Sequence, residues 1–274
     1  MDMKGRVLVV AGSDSGGGAG IQADIKTITA LNGFAMTAIT ALTAQNSLGV
    51  KGVHKPPPAF VTDQIRVTLE DLGADAVKTG MMADAPIIEA AAEALEEHAG
   101  GVPWIVDPVM FSSARDLLLD EDAAEALKAR LVSRAALVTP NMAEAEALIG
   151  RPVATVADME AAGQDLLDLG AGAALVTGGH LGGDTVTDVL VTADGAERFE
   201  GPRIDTPHTH GTGCTLASAV ATGLAQGMEL RDCVIRARAY VREAIRTAPG
   251  YGAGHGPLNH AHTVRPFGDG SDAM

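Results

Sequence analysis

The segment His210–Thr215 (His-Gly-Thr-Gly-Cys-Thr) directly precedes an apolar stretch that is predicted to be a helix. Its two glycines allow the backbone to fold into a nest of N–H groups, and the N-terminus of the following helix adds partial positive charge. This combination suits the binding of a transferring phosphoryl group. The same pattern also fits a plain turn in which Thr212 is the helix N-cap, so this segment alone does not decide between the two.

Cys214 lies in the first turn of that predicted helix. A thiol at a helix N-terminus has a lowered pKa, because the helix dipole favours the thiolate. We therefore expect Cys214 to take part in the chemistry, and a small buried apolar residue is the alternative. For Cys233, in the middle of a later predicted helix, the buried apolar interpretation is favoured.

Further polar and glycine residues follow the predicted strands. They occur at 12–20, 45–46, 80–82, 107–110, 140–141 and 178–180. Ligands of open α/β sheets bind beyond the carboxyl ends of the strands. We therefore expect these segments to form one site.

The elements that must position these segments alternate along the chain between apolar runs and amphipathic stretches. Strands are predicted at 7–11, 35–43, 50–54 (a possible edge), 75–79, 104–107, 136–139 and 173–177, and a hairpin at 186–192 and 197–204. Helices are predicted at 21–32, from the prolines at 56–58 to about residue 71, and at 85–98, 123–131, 142–148, 155–169, 212–226 and 231–247. In the first helix Ile21, Ile25, Ile28 and Leu31 share a face. This alternation predicts one doubly wound α/β domain over residues 1–262, with a mostly parallel central sheet flanked by helices, and an irregular tail at 263–274.

The chain is acidic, with 20 Lys and Arg against 35 Asp and Glu among 274 residues and a formal net charge of −15. This charge argues against nucleic acid or an anionic membrane surface as a partner. An enzyme of this charge that handles phosphates must create positive potential locally, from backbone amides, helix N-termini or metal ions. Two cysteines are too few for a disulfide scaffold, and neither a signal peptide nor 18 uninterrupted apolar residues occur, so we expect a cytoplasmic protein.

Seven segments, taken together and in this order, resemble one family. They are Gly12–Asp24, Ile39–Asn46, Lys78–Met82, Asp107–Met110, Thr139–Glu144, His210–Thr215 and Gly252–Leu258. The set is similar to the hydroxymethylpyrimidine/phosphomethylpyrimidine kinases of the ribokinase-like superfamily, over about residues 6–260.

The resemblance implies a ribokinase-like fold and a kinase that acts twice with ATP and Mg²⁺. It would phosphorylate 4-amino-5-hydroxymethyl-2-methylpyrimidine and then the resulting monophosphate, in thiamine biosynthesis, as a homodimer. The resemblance also implies residue roles. The pyrimidine pocket would contain Gly12, Asp24, Gln45, Met81 and Val109; the metal would be held by Asp107 and Glu144; the nucleotide would contact Asn141, Glu144, Thr177 and Gly179; and phosphoryl transfer would involve Gly211, Thr212, Gly213 and Cys214.

Two positions matter for this interpretation. Thr177 stands where the resemblance implies a lysine that reaches the ATP phosphates, and threonine cannot supply that charge. At Cys214 the wider superfamily usually has an aspartate base, whereas the pyrimidine kinase branch has cysteine. A small, weak group leaves room for a phosphate monoester, whose second pKa of about 6 makes it a dianion at neutral pH.

Two alternative functions stay open at this point. One is a pyridoxal or pyridoxine kinase on the same fold, in which Cys214 could trap an aldehyde. The other is a catalytically weakened pyrimidine-binding sensor, which Thr177 would favour. A zinc site at His208 and His210 is not expected, because no third ligand has suitable spacing.

Overall fold

The structure is a computed structural model that describes residues 3–110 and 121–265. The strands of these ranges are β1 (Arg6–Asp14), β2 (Phe34–Asn46), β3 (Gly49–His54), β4 (Ala76–Thr79), β5 (Trp104–Val106), β6 (Leu137–Val138), β7 (Ala174–Val176), β8 (Thr185–Thr192) and β9 (Gly195–Pro202). The α-helices are α1 (Gly20–Ala30), α2 (Pro58–Asp71), α3 (Ala85–Ala99), α4 (Glu121–Arg130), α5 (Met142–Ile149), α6 (Val156–Asp168), α7 (Thr212–Ala225) and α8 (Leu230–Arg246). Most of the predicted tail, residues 266–274, lies outside the described residues.

All of these strands belong to one sheet, in the order β3-β2-β1-β4-β5-β6-β7-β8-β9. The pairs from β2 through β1 to β7 are parallel, whereas β3 at one edge and the β8–β9 hairpin at the other are antiparallel. The chain turns back at β1, which has β2 on one side and β4 on the other, and a crevice opens at such a point. The predicted doubly wound, mostly parallel sheet is confirmed.

Helices cover both faces of this sheet, which explains why the central strands are continuous apolar runs. Leu8 and Val10 of β1 pack on the side of α2 to α6, and Val7 and Val9 pack on the side of α1, α7 and α8. All four side chains are fully buried. No helix in the described part of the chain is both long and apolar enough to cross a membrane.

Several local predictions differ from the structure; β2, for example, continues to Asn46 and does not end at residue 43. β1 continues to Asp14, three residues past the predicted end, because Ser13 and Asp14 still pair with Leu42 and Thr43 of β2. In α1 the predicted apolar face is wrong at Ile25, whose side chain is exposed. Its place towards the interior is taken by Asp24, which is fully buried.

Candidate active site

A cavity of about 1620 Å³ opens at the carboxyl ends of the parallel strands. Pockets for one small ligand are typically about 300–1,000 Å³, so this cavity has room for two ligands side by side. The predicted site residues that line it are Gly12, Gln45, Met81, Asp107, Val109, Asn141, Glu144, Thr177, Gly179, Gly211, Thr212, Gly213 and Cys214. The structure thus brings together all the predicted site residues except Asp24.

The N-terminus of α7 is the part of this cavity that suits an anion. Its N-cap, Gly211, has a φ of +86°, and a Cβ there would lie 1.9 Å from the carbonyl oxygen of Gly18. Both the conformation and the space therefore require glycine at this position. The Thr212 hydroxyl donates to the carbonyl oxygen of Thr209 at 2.7 Å, and no side-chain hydrogen bond caps α7. The alternative in which Thr212 is the N-cap is wrong. The Thr212 N–H donates to the Thr209 carbonyl oxygen at 3.2 Å, so the first turn of α7 offers the N–H groups of Gly213 and Cys214 to a phosphoryl group.

Two buried carboxylates lie beside this helix N-terminus. Asp107 directly follows β5, and a Cβ on Gly213 would lie 3.8 Å from its Oδ1 atom. Glu144 lies in the first turn of α5, where it forms a capping box with Asn141. Burial, and next the nearby charge of Asp107, raise the pKa of Glu144 to about 8.

This carboxylate pair fits a magnesium ion. The Oδ2 atom of Asp107 is buried and its described partner is the Lys78 ammonium, 3.3 Å away; a carboxylate has about four acceptor sites, so this ion pair still leaves sites for a cation. Mg²⁺ is commonly held by one or two carboxylates, with water and substrate phosphates at the other positions. The part of the chain that the structure describes contains no group of three or more His, Cys, Asp or Glu side chains arranged for a metal. Asp107 and Glu144 would therefore supply only part of the coordination.

Lys78 is a buried cation in the cavity wall, in a motif segment of the resemblance that gave it no role. Its Nζ atom lies 3.1 Å from Asp24 Oδ1 and 3.3 Å from Asp107 Oδ2, and all three side chains are almost fully buried. Burial lowers the pKa of Lys78, but the neighbouring negative charges, with Asp24 foremost, raise it by more than burial lowers it. The ammonium therefore stays charged. A lysine inside the apolar run of β4 was the signal in the sequence.

Asp24 does not line the cavity, contrary to the implied role. Its carboxylate is saturated from within the protein: Lys78 approaches one side, and the Ser218 hydroxyl donates to Oδ1 at 2.6 Å. Burial raises the pKa of Asp24, and the Lys78 charge opposes that rise. Asp24 instead holds the Lys78 ammonium in place.

The predicted thiolate at Cys214 is wrong. Burial raises the pKa of this thiol; the Lys78 ammonium lowers it, but Asp107 and Asp24 raise it again, and the result is a raised pKa. Desolvation and two buried carboxylates therefore outweigh the helix N-terminus and one cation. Cys214 lines the cavity as a neutral thiol at neutral pH.

The wall predicted for the pyrimidine consists of Gly12, Gln45, Met81 and Val109. The Gly12 N–H donates to the Met81 carbonyl oxygen at 3.0 Å, and a Cβ on Gly12 would lie 2.8 Å from Met81 Cε. A side chain at position 12 would therefore displace Met81. The Gln45 Oε1 atom lies 3.2 Å from the Thr43 hydroxyl oxygen, whose proton is donated to the Ser13 carbonyl oxygen at 2.9 Å.

Asp14 organises the glycine-rich loop at the edge of this wall, a role that the sequence analysis missed. Its carboxylate accepts three backbone N–H groups from residues 16–19 and the Nε2 proton of His210 at 2.9 Å. Burial raises the pKa of Asp14, but these hydrogen bonds, with His210 foremost, bring it below its usual value. An Asp before a Ser-Gly run is typical of such a loop and was the available signal.

Comparison with known proteins identifies the family. The phosphomethylpyrimidine kinase family profile matches residues 14–259. The chain is 50% identical over 258 residues to the thiamine biosynthesis bifunctional protein ThiED of Geobacter sulfurreducens, which covers 94% of this chain and 52% of that protein. It therefore spans about half the length of that relative. It is 44% identical to the hydroxymethylpyrimidine/phosphomethylpyrimidine kinase of Bacillus subtilis, over 93% of this chain and 94% of that one.

A solved structure supports the ribokinase-like fold that the sequence predicted. Bacillus subtilis pyridoxal kinase, solved as an ADP complex, superposes with a TM-score of 0.86 and 36% identity, covering 94% of this chain and 98% of that chain. The chain belongs to the phosphomethylpyrimidine kinase family, and its fold is ribokinase-like. It is a kinase.

Proposed function

We propose that this kinase uses ATP to phosphorylate 4-amino-5-hydroxymethyl-2-methylpyrimidine, and then the monophosphate, in thiamine biosynthesis. The observation that carries the proposal is one cavity in which the wall around Gln45 and Met81 faces the uncapped N-terminus of α7. The name of the Bacillus subtilis relative, which states both substrates, supports it.

The wall around Gln45 suits the edge of an aminopyrimidine ring. A carboxylate only accepts hydrogen bonds, so the Nε2 atom of His210 must carry its proton towards Asp14. The Gln45 amide nitrogen, 3.4 Å from that Nε2 atom, then finds no acceptor there and is free to donate to a ring nitrogen. Met81 offers a polarisable apolar side chain against the ring face.

The N-terminus of α7, which follows His210 next to this wall, suits the phosphoryl group that is transferred. Within the segment Gly211–Cys214, the N–H groups of Gly213 and Cys214 would stabilise the charge spread over its oxygens. Asp107 and Glu144 would hold Mg²⁺, which when bound supplies positive charge to the phosphates. Asn141, Thr177 and Gly179 would line the nucleotide part of the cavity.

The neutral thiol of Cys214 is consistent with two successive acceptors. A carboxylate at this position would repel the monophosphate dianion, whereas an uncharged thiol does not. Because the second acceptor is already ionised near neutral pH, it needs no base. In the first step, the raised pKa of Cys214 disfavours its action as the base for the alcohol.

A coupled ATPase assay with three acceptors tests this proposal. We expect turnover with the free pyrimidine and with its monophosphate, and a lower kcat/KM with pyridoxal. A preference for pyridoxal would instead support a pyridoxal kinase. The structural similarity to Bacillus subtilis pyridoxal kinase is the reason for including this acceptor. Binding of the pyrimidine without turnover would instead support the sensor.

We also infer that the protein is a homodimer and acts in the cytoplasm, where ATP is available. The edge strand β3 and the adjoining part of β2 leave apolar side chains exposed: Leu42 is 48%, Leu48 63% and Val53 46% exposed. Unpaired apolar sheet edges favour association with a second chain. Sedimentation equilibrium of the wild type and of Leu48→Asp tests this: a monomeric wild type would contradict it.

A further inference from the structure

Arg203, directly after β9, is tied to the loop that follows β7. Its Nε atom donates to the Gly183 carbonyl oxygen at 2.8 Å and its Nη1 atom to that of Gly179 at 2.7 Å. Its Nη2 atom donates to the carbonyl oxygen of Leu181. One guanidinium thus binds three alternate carbonyl groups of a glycine-rich loop and fixes its course. Both Arg203 and Gly179 line the cavity.

Arg203 is also one of two cations of the cavity wall whose charge no described carboxylate compensates, and Arg242 is the other. The lysine and arginine side chains that line it in the described residues are Lys78, Arg203, Arg238 and Arg242. Lys78 is neutralised by Asp24 and Asp107, and Arg238 by Asp188 at 2.7 Å. Arg203 forms no ion pair with a described carboxylate; its described partners are carbonyl groups.

Arg242 is the other cation of the cavity wall without a described ion pair, and it is held less firmly than Arg203. It lies on an exposed face of α8, and its described hydrogen bond runs to the Pro202 carbonyl oxygen. It holds no part of the loop after β7. Arg203, in contrast, is preorganised by three hydrogen bonds, so little side-chain entropy remains to be lost when a ligand binds.

We infer that Arg203 binds the terminal phosphates of a nucleoside triphosphate and supplies the positive charge that Thr177, at the end of β7, does not. A guanidinium has five N–H donors, and the loop uses three, which leaves two for phosphate oxygens. The neutral amides of α7 stabilise transferring charge but carry no net charge themselves, so a cation is needed for the polyphosphate. This inference rests on the proposed function, because it takes ATP as the phosphoryl donor.

A series of adenine ligands of increasing charge tests the inference in Arg203→Gln. We expect the Kd for ATP to rise about 10- to 100-fold, the Kd for ADP to rise less, and the Kd for adenosine to stay within about twofold. Arg198→Gln is the matched control: Arg198 lies on β9, is paired with Glu160 at 2.6 Å and is outside the cavity wall. Its Kd for each ligand should equal that of the wild type.

A merely structural role would give a different pattern. If Arg203→Gln weakens adenosine and ATP equally, the side chain only shapes the loop, and the inference is overturned. An unchanged Kd for ATP, or a loss seen in Arg242→Gln in its place, also overturns it. If Arg203→Gln does not fold, Arg203→Lys carries the same test, since it keeps the charge and should retain part of the ATP affinity.

A rescue experiment separates charge from shape. Adding Thr177→Lys to Arg203→Gln should restore part of the lost ATP affinity, because the lysine returns a cation to the same part of the cavity. No restoration would contradict the charge role. The wild type distinguishes the two levels of failure: a wild type without ATP-dependent turnover overturns the proposed function, whereas an active wild type with a fully active Arg203→Gln overturns only this inference.

Discussion

At the scale of single residues, Lys78 connects the two halves of the site. Its ammonium lies between Asp24, which is anchored to Ser218, and Asp107, which faces the cavity. Buried ion pairs are costly to break, because the charge left behind keeps its desolvation penalty. The position of Asp107 therefore depends on a lysine that does not itself need to touch a substrate.

Lys78→Met tests this dependence. We expect the free energy of unfolding to fall by about 3–5 kcal/mol, because Asp24 and Asp107 are left without their cation. Urea denaturation measures it, with Lys128→Met as the control, since the exposed Lys128–Glu125 pair contributes at most about 1 kcal/mol. Adding Asp24→Asn to Lys78→Met should recover part of the loss. No recovery would mean that the two residues are not coupled.

Gln45→Ala tests the pyrimidine wall. The affinity for the free pyrimidine should fall by about 1–3 kcal/mol, because a ring nitrogen loses a buried hydrogen-bond partner. Calorimetric titration with the pyrimidine measures the change. Asn46→Ala, which removes a turn contact to the Leu48 N–H outside the cavity wall, is the control. Unchanged affinity in Gln45→Ala would remove Gln45 from the pocket.

At the scale of elements, the C-terminal segment around His260 is hydrogen-bonded to the first turn of α7 and stabilises it. The Thr215 hydroxyl donates to the Gly211 carbonyl oxygen at 2.8 Å, so the Nε2 atom of His260, 2.9 Å from the same hydroxyl oxygen, must be the donor in that second contact. The Tyr240 hydroxyl donates to the His260 carbonyl oxygen at 2.6 Å. The segment therefore links α8 to the phosphoryl-binding end of α7.

The hydrogen bond between His260 and Thr215 is sensitive to acid. Burial, and next the charge of Lys26, lower the pKa of His260 to about 4. The unfolded chain binds a proton near the usual pKa of about 6.5, so stability is full above that pH and falls as the pH drops from about 6.5 to 4. The loss from this group should be on the order of 2–3 kcal/mol. Urea unfolding between pH 7 and 4 should show a shallower decline for His260→Gln than for the wild type; parallel curves would contradict the assignment.

The order and type of the elements could be predicted from the sequence, because apolar runs and amphipathic stretches alternate regularly. The extension of β1 to Asp14 could not, since pairing with β2 overrides the local preference of Gly12 for a turn. The motif residues of the cavity were found. Arg203, Asp14 and Lys78 were missed as site residues, because their roles arise from contacts with segments distant in the chain.

At the scale of the whole molecule, the net charge of −15 repels the negatively charged phosphates that the site is proposed to bind. The expected sources of positive potential were backbone amides, helix N-termini and metal ions. The structure adds side-chain cations, but Lys78 and Arg238 are compensated by carboxylates within the protein. ATP is therefore attracted by few groups close to the cavity rather than by the general field of the protein.

The raised pKa of Glu144 favours its protonated form before a divalent cation binds. Coordination of Mg²⁺ by this carboxyl group would then release a proton to the solvent. Calorimetric titration with Mg²⁺ and ADP at pH 7 should therefore give a heat that varies with the ionisation enthalpy of the buffer. Glu144→Gln should abolish that variation. Equal heats in all buffers would contradict it. Cation uptake by this protein would then be an acid-releasing exchange, one that a rise in pH towards 8 strengthens and acidification weakens.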